Sequence, residues 1–303
     1  MVTEQAFAKI NLTLHVTGQR DDGYHLLDSL VVFASIGDRL DVAPAAVSSL
    51  MLEGPFGAEV PADMDNLVLR AARLFAPSQG FAFTLQKHLP PASGIGGGSA
   101  DAAAAIRGVV RLMVAGGEGS AVEDSLHQID RDKVLRLGAD VPICLFSHPA
   151  RMRGIGERIS FVKTPECWIT LVNPRVEVPT PQVFKALTTK QHPAMPDALP
   201  DWPDATALAA WLRGQRNDLQ APAQAIAPVI TDVLTSLQAQ PGTLIARMSG
   251  SGATCFALFA DAAGAKAASA AIGRNHPDWW VADGSVFPGS KAAELNQLMR
   301  ETT

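Results

Sequence analysis

Residues 87–106 read KHLPPASGIGGGSADAAAAI, and this stretch decides the reading of the chain. Its glycine cluster, Gly94 to Ser99, runs directly into a segment in which Ile106, Val109, Val110, Met113 and Val114 recur at helical spacing. The pattern predicts a glycine-rich turn followed by an amphipathic helix. Such a turn presents unpaired backbone N–H groups at the positive end of the helix dipole, an arrangement that binds phosphate oxygens. Glycine suits it because the backbone must approach the anion closely. Ser99 adds a hydroxyl for a phosphate or for its magnesium ion. A P-loop would need a lysine after the glycines, and none follows. A dinucleotide fingerprint would need a third glycine where Ser99 stands. The plain alternative is a flexible turn in which Asp101 merely favours the helix N-terminus.

Working outward, Phe81 to Leu85 alternates as a strand, and Leu67, Ala71 and Leu74 within 66–75 follow helical spacing. Near the start, Ala6, Ala8, Ile10, Leu12, Leu14 and Val16 fall on one face of a strand, with Lys9, Asn11, Thr13 and His15 on the other; Phe7 is the exception. The plain expectation for that second face is a solvated one. Downstream, Asp140 before Val141-Pro142 has the form of a helix cap. A weaker boundary lies near Arg153 to Glu157, and Trp168 to Val172 begins a second block of strands. Prolines 193, 196, 200 and 203 mark 192–204 as an exposed irregular loop. Ser249-Gly250-Ser251-Gly252 separates two strands, with a hairpin turn as its simplest reading. Strands and helices mix without a regular βαβ rhythm, which predicts an α+β fold.

The 303 residues allow two domains, and 47% hydrophobic with 18% charged residues is ordinary for a globular enzyme. A net charge of −5 without a basic cluster argues against nucleic acid or an anionic membrane as partner. Three scattered cysteines, Cys144, Cys167 and Cys255, fit a reducing compartment and show no metal-ligand spacing. The apolar run 102–116 is interrupted by Arg107 and Arg111 and is short for a membrane span. The N-terminus carries Glu4 and Lys9 where a signal peptide needs an apolar core, so the chain is expected in the cytoplasm.

Taken together, the N-terminal strand with Lys9, the Pro91-to-Ser99 loop and the late Ser249–Gly252 loop resemble the three motifs of the GHMP kinases. Ala8–Leu12, Gly18–Arg20, Asp22–His25, Asn66–Val68, Leu137–Pro142, Asn217–Leu219 and Met248–Phe256 resemble one branch of that family, which acts on a nucleotide-linked sugar alcohol. Ser93, Ile95 and Ala100 depart from the family's usual Ala, Leu and Ser, and Gln220 stands where an acidic residue is common.

The resemblance implies two domains, 1–155 with a ribosomal-protein-like ATP-binding fold and 156–303 with a ferredoxin-like fold, around a cleft. It implies ATP as co-substrate with Mg²⁺, and phosphorylation of the C2 hydroxyl of a methylerythritol unit carried on cytidine diphosphate. Asp140 is then the general base, and Lys9 holds it ionised. Pro91, Ser93, Gly94, Ile95, Gly96, Gly97, Gly98 and Ser99 cradle the phosphates, with Asn66 and Lys87 at the adenosine end. Asn11, Tyr24, His25, Thr180, Phe184, Ser249 and Gly250 belong to the acceptor side. Tyr24 stacks on the cytosine, His25 bonds its edge and Phe184 backs it. No protein ligand of the metal is assigned beyond Ser99, acting through Mg-ATP. A monomer or weak homodimer is expected. Kinases of this family acting on homoserine, mevalonate derivatives or sugars are the competing reading, followed by a catalytically silent member. The stretch 192–204 and the segment after Phe287 receive no role.

Overall fold

The computed structural model describes residues 1–114, 125–126 and 128–301. Its spine is one long strand. The apolar run Leu30–Ala34 sits inside β3 (His25–Ala45), which pairs antiparallel with β1 (Val2–Asn11), β2 (His15–Gln19), β5 (Gly80–Gln86), β6 (Ala150–Gly154) and β11 (Trp280–Val286). The edge strand β4 (Ser49–Glu53) runs parallel to β5. Beyond β11 the sheet continues through β8 (Cys167–Asn173) and β10 (Cys255–Phe259) to β9 (Ile245–Met248). Pairing is antiparallel at nearly every step, and the helices lie outside any βαβ repeat. The fold is α+β.

Three apolar clusters hold the layers together. The first lies beneath α1 (Leu67–Phe75) and α2 (Gly97–Met113), against β1, β3 and β5. The second packs α8 (Val229–Gln238) and α9 (Ala262–Asn275) on β8–β10; α5 (Thr180–Lys185) and α7 (Gln220–Ile226) flank it. The third joins the halves: Ala8 and Ile10 of β1, with Leu12 just beyond it, meet Leu89, Ile95, Phe256 and Leu258, and α6 (Ala205–Leu212) closes it.

The first turns of α2 are not amphipathic. Ala100 through Ile106 are buried all round, because the helix is held between α1 and the sheet. Alanine gives the least bulky helical surface, so the backbone packs close. The final two residues of the 102–116 run lie outside the described residues. Likewise, the one strand expected from Ala6 to Val16 is two, β1 and β2, and its polar face is not solvated: Lys9 and Asn11 of β1, Thr13 of the link and His15 of β2 are all buried. The Phe7 irregularity is a β-bulge. The register against β3 shifts between Phe7 and Lys9, and Phe7 meets Phe287 edge-on at 4.7 Å.

A division at 155/156 falls in the turn between β6 and β7 (Arg158–Phe161), two paired strands of the N-terminal half. That half therefore extends to Phe161. The segment after Phe287 returns to it: in α10 (Ala292–Glu301), Asn296 accepts from Phe161 N at 2.8 Å and donates to Phe161 O at 2.7 Å. The stretch 192–204 is irregular as expected, yet Met195 and Trp202 are buried. No helix among the described residues is long and apolar enough to cross a membrane.

Gly108 of α2 faces β3, where an added Cβ would lie 2.7 Å from Val42 Cγ2. Gly108→Ala gains about 1 kcal/mol of helix propensity, but overpacking against a stiff β-branched neighbour costs about 1–3 kcal/mol. We expect net destabilisation in urea unfolding. A stabilised variant would show that α2 rides away from the sheet freely.

Candidate active site

Asp140 stands just ahead of a one-turn helix, α4 (Val141–Cys144), but its carboxylate makes no capping bond. It turns instead to Lys9, whose ammonium reaches Asp140 Oδ1 at 2.9 Å and donates to Asn11 Oδ1 at 2.9 Å. Lys9 is 4% exposed, whereas the Asp140 side chain keeps 35% of its surface open to the cleft. A buried cation thus faces a carboxylate that stays accessible from the cleft. Both line a cleft of about 500 Å³ with the glycine loop along one wall.

That loop is fixed by backbone contacts. Lys9 N donates to Ile95 O, and Ile95 is fully buried below. Gly96 caps α2 in the left-handed region, at φ 67°, directly above the Lys9 side chain. No side chain caps this helix end, so its first-turn N–H groups point toward the cleft unclaimed by a cap. Gly94, at φ 76°, lies against the late glycine turn: a Cβ there would sit 2.7 Å from the carbonyl oxygens of Ser249 and Gly252. The late turn is a β9–β10 hairpin, as its simplest reading held, and it is also a wall of the site.

The cleft includes Lys9, Asn11, Ser93, Gly94, Gly96, Gly97, Gly98, Ser99, Asp140, Thr180, Phe184 and Gly250. Several expected contacts are spent elsewhere. Ser93 Oγ donates to Pro90 O, and half-buried Pro91 lies just ahead of the lining residues. Ser249 is fully buried, accepting from Asn11 N at 3.0 Å and donating to Gly94 O at 3.0 Å; it clamps the loops and offers nothing to an acceptor. Asn66 caps α1, accepting from Val68 N and donating to Pro61 O.

Lys87 turns inward rather than toward a nucleotide. Only 2% exposed, its ammonium donates to Asp38 at 2.5 Å and Asp101 at 2.7 Å, beneath Gly97. Burial works against its charge, but Asp101 and Asp38 outweigh that and raise its pKa. Asp38 also accepts from His88 N and Leu89 N, whereas Asp101 Oδ1 has no partner among the described residues. Burial, opposed by Lys87, pushes Asp101 up to about 7. Asp101 thus serves this buried triad rather than the helix N-terminus.

At the far end, the His25 and Phe184 rings stack at 4.6 Å and 21°. Tyr24 stands apart on the turn, 63% exposed. Burial, then Lys190, lowers the His25 pKa, and its buried Nε2 has no partner among the described residues. Thr180 and Ser251 share a 2.7 Å hydrogen bond across the two loops.

Sequence reasoning passed over Ser251, Glu177 and the β6–β7 turn, where Met152, Ile155 and Gly156 form the wall beside Ala139 and Asp140. The paired glycines of that turn were the available signal, but they pointed equally to a boundary. Asn217 was visible only as part of a motif. Its Nδ2 donates to Met248 O and Gly250 O, holding the late glycine turn.

Comparisons with known proteins give the family. Residues 66–148 match the GHMP kinases N terminal domain and 197–278 the GHMP kinases C terminal domain. A 4-diphosphocytidyl-2-C-methyl-D-erythritol kinase from Cereibacter sphaeroides is 57% identical over 279 residues, 91% of this chain and 96% of the relative. The chain belongs to that kinase family. A relative of the same name from Ruegeria pomeroyi is 54% identical over 92% of this chain and 97% of its own length. A crystal structure of 4-(cytidine 5'-diphospho)-2C-methyl-D-erythritol kinase aligns with TM-score 0.73 and 33% identity, covering 95% of this chain and all of that one. A homoserine kinase from Cytophaga hutchinsonii, at 18% identity and TM-score 0.60 over 94% of this chain and 95% of its own, shares the fold.

Asp101 gives a pH prediction. A carboxyl whose folded pKa lies above its unfolded value adds stability at low pH and loses it as pH rises. Measured as wild type minus Asp101→Asn, the unfolding free energy should fall between pH 4 and about 7 and then level off. A flat difference across that window would mean Asp101 is ionised throughout.

Proposed function

We propose that the chain transfers the γ-phosphoryl group of ATP to the C2 hydroxyl of 4-diphosphocytidyl-2-C-methyl-D-erythritol, giving the 2-phosphate and ADP. The observation that carries this reading is the Lys9–Asp140 pair at 2.9 Å, open to a cleft walled by the glycine loop. The family to which the chain belongs supports the choice of acceptor.

Phosphoryl transfer needs alignment, charge stabilisation and a group to take the nucleophile's proton. Asp140 is the accessible carboxylate and takes the proton of the C2 hydroxyl. Lys9, paired with Asp140 at 2.9 Å, orients that carboxylate and stabilises charge gathering on the transferred group. The N–H groups of the Gly96–Ser99 turn receive the phosphate oxygens of ATP. Mg²⁺ entering with ATP supplies further charge neutralisation; Ser99 is the hydroxyl of the glycine loop at that end, and the described residues gather no three metal-ligating side chains. At the acceptor end, neutral His25 offers Nε2 to the edge of the cytosine, next to Phe184. Tyr24, free on its turn, is positioned by sequence neighbourhood to cover the base from outside. A net charge of −5 supports a small-molecule acceptor rather than nucleic acid or an anionic membrane; the compartment proposed is the cytoplasm and the state a monomer or weak homodimer. The reaction belongs to the methylerythritol phosphate route to isoprenoids.

ADP release in the presence of ATP and Mg²⁺ should require the cytidylyl acceptor and not occur with homoserine or mevalonate. Release with a control alone would keep the kinase and discard the acceptor. Asp140→Ala should lower turnover by about 10²–10⁴-fold while ATP still binds; comparable turnover would remove Asp140 from the chemistry. Tyr24→Ala should raise KM for the acceptor more than for ATP, and equal effects would sink the stacking role.

A further inference from the structure

Behind the catalytic strand lies a second set of contacts, made with the proline-rich stretch that has no role in binding or chemistry. Successive residues of a strand point to opposite faces, and β3 uses this at Asp28 and Ser29. Ser29 faces the cleft, accepting from Asn11 Nδ2 at 2.7 Å and donating to Thr13 O, and Asn11 Oδ1 holds the Lys9 ammonium. Asp28 faces the other way and takes two bonds from Arg151, at 2.8 and 2.7 Å. The remaining Arg151 donors reach Met195 O, Pro196 O and Asp197 O at 3.1, 2.8 and 3.0 Å, while Met195 N donates to Asp28 Oδ2 at 2.9 Å.

A second clamp repeats the arrangement two residues upstream in the strap. Arg216 donates to Pro193 O at 2.8 Å and to Asp218 Oδ1 at 2.9 Å, and Asp218 Oδ2 accepts from Val16 N at 2.8 Å. Between Arg216 and Asp218 stands Asn217, which secures Met248 O and Gly250 O at the front. Each clamp on the back is therefore a direct chain neighbour of a residue that fixes the cleft. Guanidinium groups suit this task because one planar fork satisfies a carboxylate and several carbonyls together, which an ammonium does not.

We infer that residues 192–197 form a back-plate that positions the Lys9–Asn11 pair and the late glycine turn, with Arg151 and Arg216 as its positioning residues. Neither arginine lines the cleft. The strap acts through Ser29 and Asn217 on the kinase reaction proposed above, and this inference rests on that reading for its kinetic consequence.

Arg151→Lys keeps a charge beside Asp28 but releases the strap carbonyls. It should lower kcat roughly tenfold to a hundredfold, the scale of an ångström-sized misplacement, with KM for ATP and acceptor within about twofold. Amide hydrogen exchange should quicken in residues 9–14, a readout that needs no turnover. If the wild-type protein fails to phosphorylate the acceptor while the variant still loosens 9–14, the substrate reading falls and the back-plate stands. Unchanged kcat with a loosened strap, or unchanged exchange in 9–14, would overturn it. Should Arg151→Lys not fold, Met195→Ala and Arg216→Lys decide by the same two readouts.

Discussion

Two main chains meet with no side chain between them where Gly94 lies on the turn that carries Ser249 and Gly252. A methyl group on Gly94 would sit 2.7 Å from two carbonyl oxygens, and one on Gly250 would sit 2.8 Å from Gly94 O. Backbone cannot yield at that distance, so the approach is available only to glycine. Ser249 then ties the junction to β1 by bonding both Asn11 N and Gly94 O. The Gly94–Ser99 loop lies over Lys9 because this three-way contact leaves it no other place. The cleft, the pair at its floor and the walls from both halves follow from it.

Around that contact the molecule keeps an unusual number of cations indoors. Lys9, Lys87, Arg151 and Arg247 are all buried. Each is held by carboxylates or carbonyls, as buried charge requires. Arg247 shows the cost most plainly: burial lowers its pKa to about 10, and its bonds go to Leu12 O, Leu212 O and Gln215 O. Arg151 and Arg247 act as rivets, fixing irregular stretches of backbone to the strands they lie on. Only Lys9 faces an open cleft, and only it has a carboxylate partner with exposed surface.

Much of this was legible in the sequence. The glycine cluster, the alternation of β1 and the motif around Asp140 located the glycine loop, the strand and the Lys9–Asp140 pair that line the cleft. What failed shares one cause. Periodicity reports which face is polar but not whether that face is buried, so the Lys9 face was expected in water. The same blindness put Lys87 and Ser249 in contact with ligands, since a lysine or serine beside a glycine loop looks the same whether it points in or out. Asn66 was recognised as part of a motif, while its capping bond to Val68 N was the physical reason for its place.

The order of strands in the sheet has a consequence for how the fold forms. Strand β11 lies between β3 and β8, and α10 binds the backbone of Phe161, so continuity of the sheet from one half to the other runs through residues 280–286. Without β11, β3 and β8 have no common neighbour and each keeps an unpaired edge. Among the described strands β11 is the one farthest along the chain from β3, so this contact closes a loop of more than two hundred residues. The entropy of that closure is met before the pairing rewards it, which makes the seam a slow element of folding.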